Sequence, residues 1–187
     1  MNNERKWILR GGRVLNPAPF CLIGIVNVTP DSFSDGGKYI DPRNAVAHGL
    51  RLLDEGAGML DLGAESTRPF AEPVPEGEEI ARLMPVVARL REQRPDAVFS
   101  VDTLKAGTAR AALEGGADII NDVSACVADP ALLDVLAEYK PGYVLMHSQG
   151  SPREMQVNPR YGNVVEEILA FFEEHLARLV KAGLPED

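Results

Sequence analysis

Short apolar runs alternate with longer amphipathic ones along most of the chain. "CLIGIVNV" (21–28) reads as a buried strand. In 42–57, Ala45, Val46, Leu50, Leu52 and Leu53 recur at helical spacing. The rhythm repeats: "GMLDLG" (58–63), "AVFSVD" (97–102), "DIINDVS" (118–124) and "GYVLMH" (142–147) are further strands. Helices are predicted over 75–94, 105–116, 130–140 and 164–183. The first of these carries Glu76, Glu78 and Glu79 in its opening turn, where the helix dipole favours acids, and Pro85, which is expected to bend it. The last presents Val165, Ile168, Leu169, Phe172, Leu176, Leu179 and Val180 on one face. Ahead of the rhythm, "KWILRGGRVLNP" (6–17) reads as a hairpin turning at Gly11-Gly12.

Strand–helix alternation with nearly continuous apolar strands implies a parallel sheet covered by helices. Two architectures fit, a doubly wound open sheet and a (β/α)8 barrel. Five βα units are present, whereas a closed barrel needs eight. The chain ends at "KAGLPED", where a sixth strand would be expected to begin.

Bulk properties narrow the function. The 187 residues suffice for one domain with a real core, and 45% hydrophobic with 25% charged residues is the balance of a globular protein. A net charge of −9 argues against nucleic acid or an anionic membrane as partner. No apolar run approaches a membrane span, the N-terminus lacks a signal-peptide core, and Cys21 and Cys126 cannot form a disulfide framework. A cytoplasmic location is the simplest expectation. His48, His147 and His175 lack ligand spacing, so no zinc site is expected, and His48 and His175 read as solvated helix residues.

The unusual polar clusters all follow strands. Asn27 opens "NVTPDSFSDGG", Thr67-Arg68-Pro69 lies in "GAESTRP", Asp102-Thr103 and Asn121-Asp122 end the third and fourth strands, and Met146-His147 ends the fifth. Singly, an Asn or Asp at such a place is a turn former or helix cap, and Asp61 and Asp122 read as structural hydrogen-bonders. Parallel strands, however, bring their C-terminal ends to one face, where ligands bind in both architectures. A fixed Arg68 beside the Thr67 hydroxyl suits an anion.

"GIVNVTPDSFSDGG", "DLGAESTRP", "SVDT", "INDVS" and "VLMH" occur in the order found in dihydropteroate synthases, and the chain resembles that family from residue 22 to about 156. The resemblance selects the (β/α)8 barrel family, here as an incomplete barrel of about five βα units. Residues 1–20 would form a hairpin closing the barrel bottom, and 21–187 a partial pterin-binding barrel. The implied reaction joins 6-hydroxymethyl-7,8-dihydropterin diphosphate to 4-aminobenzoate and releases pyrophosphate by a dissociative course. It also implies Mg²⁺ on Asn27 and diphosphate on Thr67 and Arg68. The pterin would lie against Asp102, Asn121 and Met146, with Pro69 among the substrate contacts. The 29–37 loop would be a lid, in which Phe33 and Asp35 close over the reactants. Catalytic weight would fall on Arg68 and Asp35.

Three positions depart from the family pattern: Phe70 and Ala125, where glycine is usual, and Gln149, where arginine is. The family's later motifs, an Asp, a Lys and an Arg-His pair, are absent from this sequence. The chain by itself is therefore expected to be inactive, and to self-associate through open sheet edges where the whole enzyme is a homodimer. A non-catalytic pterin-binding module, as in corrinoid-dependent methyltransferases, would have no use for the "STRP" loop or the lid. A scaffold that has lost its chemistry would not need Asn27, Arg68 and Asp102.

Overall fold

The computed structural model describes residues 6–29, 41–65, 73–150, 155 and 158–185. The elements in chain order are β1 (Trp7–Ile8), β2 (Val14–Leu15), β3 (Ile23–Asn27), α1 (Pro42–Asp54), β4 (Met59–Gly63) and α2 (Glu76–Gln93). They continue with β5 (Val98–Asp102), α3 (Ala106–Glu114), β6 (Ile119–Asp122), α4 (Leu132–Tyr139), β7 (Gly142–Leu145) and α5 (Val164–Ala182). Every expected strand and helix is present, trimmed by a few residues at its ends. α2 runs on through Pro85.

Strands β3 to β7 form one parallel sheet in sequential order, β3-β4-β5-β6-β7. A doubly wound sheet would reverse its order at a switch point. An unreversed series with a helix after each strand is the barrel arrangement. Among the described residues the sheet does not close, and β3 and β7 are its edges.

Local chemistry starts the helices. Asp41 caps α1 by accepting from the Arg43 N–H at 2.9 Å, with Pro42 in the first turn. Asn163 caps α5 through the N–H groups of Val165 and Glu166. The helix-facing side of the sheet is then buried. Val26, Leu60, Leu62, Phe99, Val101 and Ile120 are fully covered, together with Leu83, Val86, Val87 and Leu90 of α2. Each such side chain stabilises the fold by roughly 1.5–3 kcal/mol.

The inner side of the sheet is plugged from below. Leu9 and Leu15 of the β1–β2 hairpin pack with Met59, Val98 and Ile119, and Trp7 and Cys21 lie against them. Gly142 makes this possible, because a Cβ there would stand 2.7 Å from Leu9 Cδ2 and 2.9 Å from Ile119 Cγ1. Arg13, Arg91 and Asp118 tie the same end together, with Arg91 Nη2 at 2.8 Å from the nearly buried Asp118.

The apolar face of α5 is only partly covered, and one expectation changes. Of the predicted apolar face of α5, Val165, Leu169, Leu176 and Val180 are exposed and Leu179 is buried. The reason is that β7 is the last strand of the sheet, so nothing described covers the remainder of that face. His175 is not a solvated helix residue: it is half-buried, stacks on Phe171 with ring centroids 3.9 Å apart, and its Nδ1 lies 2.9 Å from the Phe171 carbonyl oxygen.

Candidate active site

Register decides which polar tips meet. Asn27 pairs with Gly63, Gly63 with Asp102, Asp102 with Asn121, and Asn121 with Val144. Four strand ends thus put Asn27, Gly63, Asp102 and Asn121 in one row on the inner side, strands lying about 4.8 Å apart. Gly63 leaves a gap in that row. A Cβ added there would be 3.7 Å from Asn27 Oδ1 and 3.8 Å from Asp102 Oδ2, so both oxygens look across the same small space.

The row beneath it runs Ile25, Asp61, Ser100, Ile119 and Gly142. Asp61 and Ser100 are direct partners in the ladder. Asp61 Oδ2 accepts from Asn121 Nδ2 at 3.0 Å, while Asp61 Oδ1 and Ser100 Oγ are buried without a hydrogen-bond partner. Such orphaned oxygens cost about 1–3 kcal/mol each unless something supplies a donor. Burial, and then the charges of Asp61, Glu79, Asp122 and Glu65, push the Asp102 carboxyl up to about 7. Around neutrality it therefore exchanges between an acceptor and a donor.

Of the residues expected at the site, Asn27, Asp102 and Asn121 come together, and Met146 follows β7 at the same end of the sheet, half-buried. Thr67, Arg68, Pro69, Phe33 and Asp35, with Phe70 and most of the expected lid, lie outside the described residues. Asn121 differs from expectation because part of its amide is already committed to Asp61.

Ser100 is not singled out by the sequence, and Asp61 reads there as a structural hydrogen-bonder, in keeping with its bond to Asn121, but not as a residue of the site. A period-two signal could have found them, since Asp61 stands two before Gly63 and Ser100 two before Asp102 on the same face. Asp122 is structural as expected. Its fully buried carboxylate accepts from the N–H groups of Ser124 and Cys126 and from the Tyr143 hydroxyl at 2.9 Å. Desolvation raises the Cys126 thiol to about 11, leaving it protonated and unreactive.

The departures from the family pattern acquire physical content. Ala125 sits at φ 53°, the left-handed conformation that glycine adopts without a Cβ penalty. Gln149 bridges to the backbone of Arg160, donating to its carbonyl at 2.7 Å and accepting from its N–H at 3.0 Å. The β7–α5 connection is thereby pinned without a charge.

Among the described residues no group of three His, Cys, Asp or Glu side chains could cage a metal. The hard oxygen donors facing the Gly63 gap are Asn27 Oδ1 and Asp102 Oδ2. That is a sparse set, of the kind suited to Mg²⁺, which keeps waters and takes its other ligands from substrate phosphates. No helix among the described residues is long and apolar enough to cross a membrane.

Comparison with known proteins agrees with this geometry. A family model described as pterin binding enzyme matches residues 23–187. The chain is 45% identical over 168 residues to the dihydropteroate synthase of Mycobacterium leprae, covering 89% of this chain and 58% of that protein. It is 42% identical over 166 residues to that of Escherichia coli, covering 89% and 58%. Among solved structures, the Xanthomonas albilineans dihydropteroate synthase with 4-aminobenzoic acid superposes with a TM-score of 0.84 at 44% identity, covering 95% of this chain and 63% of that one. The Yersinia pestis dihydropteroate synthase in a sulfonamide complex gives 0.87 at 41%, covering 97% and 65%. The chain thus spans about 60% of the length of the relatives it matches and corresponds to their N-terminal portion. A parallel sheet in barrel order, a polar row across its strand ends and a family match over nearly the whole length lead to one assignment: the chain belongs to the pterin binding enzyme family.

Proposed function

We propose that this chain supplies the N-terminal side of a dihydropteroate synthase site, where 6-hydroxymethyl-7,8-dihydropterin diphosphate condenses with 4-aminobenzoate. The observation that carries the reading is the row Asn27–Gly63–Asp102–Asn121 above two buried oxygens, Asp61 Oδ1 and Ser100 Oγ, that lack donors. A pterin edge is rich in N–H donors, and a flat ring fits the gap that Gly63 leaves. Relatives solved with 4-aminobenzoic acid and with 7,8-dihydropteroate support the same chemistry.

Within this reading Asp102 accepts from the donor edge of the pterin, Asn121 adds its free carbonyl and remaining N–H, and Met146 packs on the ring. Thr67 and Arg68 hold the diphosphate, Pro69 borders it, and Phe33 and Asp35 approach from the lid. Asn27 would hold Mg²⁺ through its amide oxygen; when bound, the ion offsets charge on the departing diphosphate. The bond from the pterin methylene to oxygen breaks with its electrons leaving on pyrophosphate. The arylamine nitrogen then bonds to that carbon and sheds a proton.

The 187-residue chain alone is expected to show no appreciable turnover, because among the described residues the inner face is open to water: Ile25, one step below Asn27 on β3, is 61% exposed. A titration of the purified chain with inorganic pyrophosphate, with and without Mg²⁺, tests the site. Metal-dependent binding lost in Asn27→Ala supports the synthase reading. Binding of a tetrahydropterin with indifference to pyrophosphate would replace it with a non-catalytic pterin module.

A further inference from the structure

Asp61 on β4 and Asn121 on β6 meet across the inner side of the sheet, with Ser100 and Asp102 of β5 between them. Asp61 Oδ2 accepts from Asn121 Nδ2 at 3.0 Å. Among the described residues this is the one hydrogen bond that the Asn121 side chain makes. Both residues are half-buried, so each keeps part of its surface toward the mouth of the sheet.

The polarity of that bond is fixed. A carboxylate only accepts, so it holds the amide with its nitrogen toward β4 and its carbonyl oxygen turned away. Turning the amide over would set Asn121 Oδ1 against Asp61 Oδ2, two acceptors with no proton between them. An Asp that merely braced the sheet would have both oxygens satisfied. This one leaves Oδ1 buried without a donor, as does its ladder partner Ser100 with Oγ. What the carboxylate supplies is therefore the orientation of one amide. An amide so held offers a carbonyl oxygen beside its second N–H, the pair that matches an amino group next to a ring-nitrogen acceptor. A ring with an oxo group next to an N–H presents the opposite order and meets like against like.

We infer that Asp61 is a positioning residue: it fixes the order of donor and acceptor on Asn121 and so makes the site select a 2-amino over a 2-oxo heterocycle. The inference rests on the reading of the strand-end row as a pterin site given above. Asp61→Asn is the informative variant. It keeps the shape and can still bond Asn121, but amide to amide it can do so in either orientation, so a brace survives and a selector does not. Burial, and then the charge of Asp61, raise the Asp102 carboxyl to about 7. Titrations at about pH 8.5 keep that neighbour ionised in every variant, so the comparison reads the amide alone.

The experiment titrates the chain, Asp61→Asn and Asp61→Ala with pterin and with its 2,4-dioxo analogue lumazine, followed by ligand fluorescence. Nuclear magnetic resonance records hydrogen exchange at the Asn121 side-chain amide in each protein. The unsubstituted chain is expected to favour pterin at least about tenfold. Asp61→Asn should keep the circular dichroism spectrum of the unsubstituted chain yet bring the two affinities to within about threefold. Asp61→Ala should lose the preference as well and speed exchange at the Asn121 amide. An unchanged preference in Asp61→Asn, or equal affinities in the unsubstituted chain, would overturn the inference. If the chain binds neither ring, the pterin reading has failed and the amide decides alone: protons protected in the chain and released in Asp61→Ala support the positioning role, and equal exchange in both overturns it.

Discussion

The two faces of the same five strands differ in how far this chain completes them. On the helix side, Val26, Leu60, Leu62, Phe99, Val101 and Ile120 are fully buried, each covered by helices that follow within a few dozen residues. On the inner side, Ile23 and Ile25 of β3 are 54% and 61% exposed, while Asp61 and Ser100 hold buried oxygens without donors. A βα unit brings its own cover for one face of its strand. The other face belongs to the whole ring, and among the described residues it is finished only at the bottom, by the hairpin. Stability and function are thereby separated onto opposite sides of one sheet.

The largest effect should come from the finished face. Phe99→Ala removes a fully buried ring over which the Arg91 guanidinium lies at 4.3 Å, and should cost about 3–5 kcal/mol in urea unfolding. A loss below about 1 kcal/mol would mean that the helix-side core is looser than described.

Next comes Asp102. Unfolded, it releases its proton near pH 4, whereas in the fold it does so at about 7. Between those values only the folded chain binds the proton, so stability should fall as pH rises, by about 1.4 kcal/mol per unit. Above the folded value the loss is complete. Asp102→Asn should abolish that slope, making it the more stable protein at about pH 8 while it loses pterin affinity. Unfolding curves of both proteins across this range would show parallel slopes if the carboxyl were not held protonated.

A smaller effect is expected at the β6–α4 turn. Ala125→Gly relieves the left-handed backbone and should raise stability by about 0.5–1 kcal/mol, despite the loss of a nearly buried methyl. A lower urea midpoint for the glycine variant would show that the methyl's packing outweighs the strain.

Smallest for stability, and most telling for the comparison, is Ile25→Lys. With its side chain largely exposed, it should change unfolding by no more than about 0.5 kcal/mol. It should nonetheless reduce self-association through the β3 edge, read by light scattering, because a lysine disfavours edge pairing. Equal scattering from both proteins would place any association elsewhere.

Much of this was legible beforehand because it is local. Strand and helix positions follow from apolar spacing, as with Ala45 and Val46 buried on α1 and Leu50, Leu52 and Leu53 packed against the core. The convergence of Asn27, Asp102 and Asn121 follows from parallel pairing, which puts all C-terminal strand ends on one side. The apolar face of α5 is legible too, but periodicity shows that a stripe is apolar, not whether a partner is present to cover it.

By itself, then, the sequence determined the βα order, the family and the shared strand-end row of Asn27, Asp102 and Asn121, all consequences of short-range pattern. Tertiary structure alone decided that Gly63 opens a gap between Asn27 and Asp102, that Asp61 takes one arm of Asn121, and that Glu65 joins Lys105 across forty positions of chain. These depend on strand register and on which buried charges face each other. No window of sequence contains either, because the partners are brought together only when the sheet and its helices have packed.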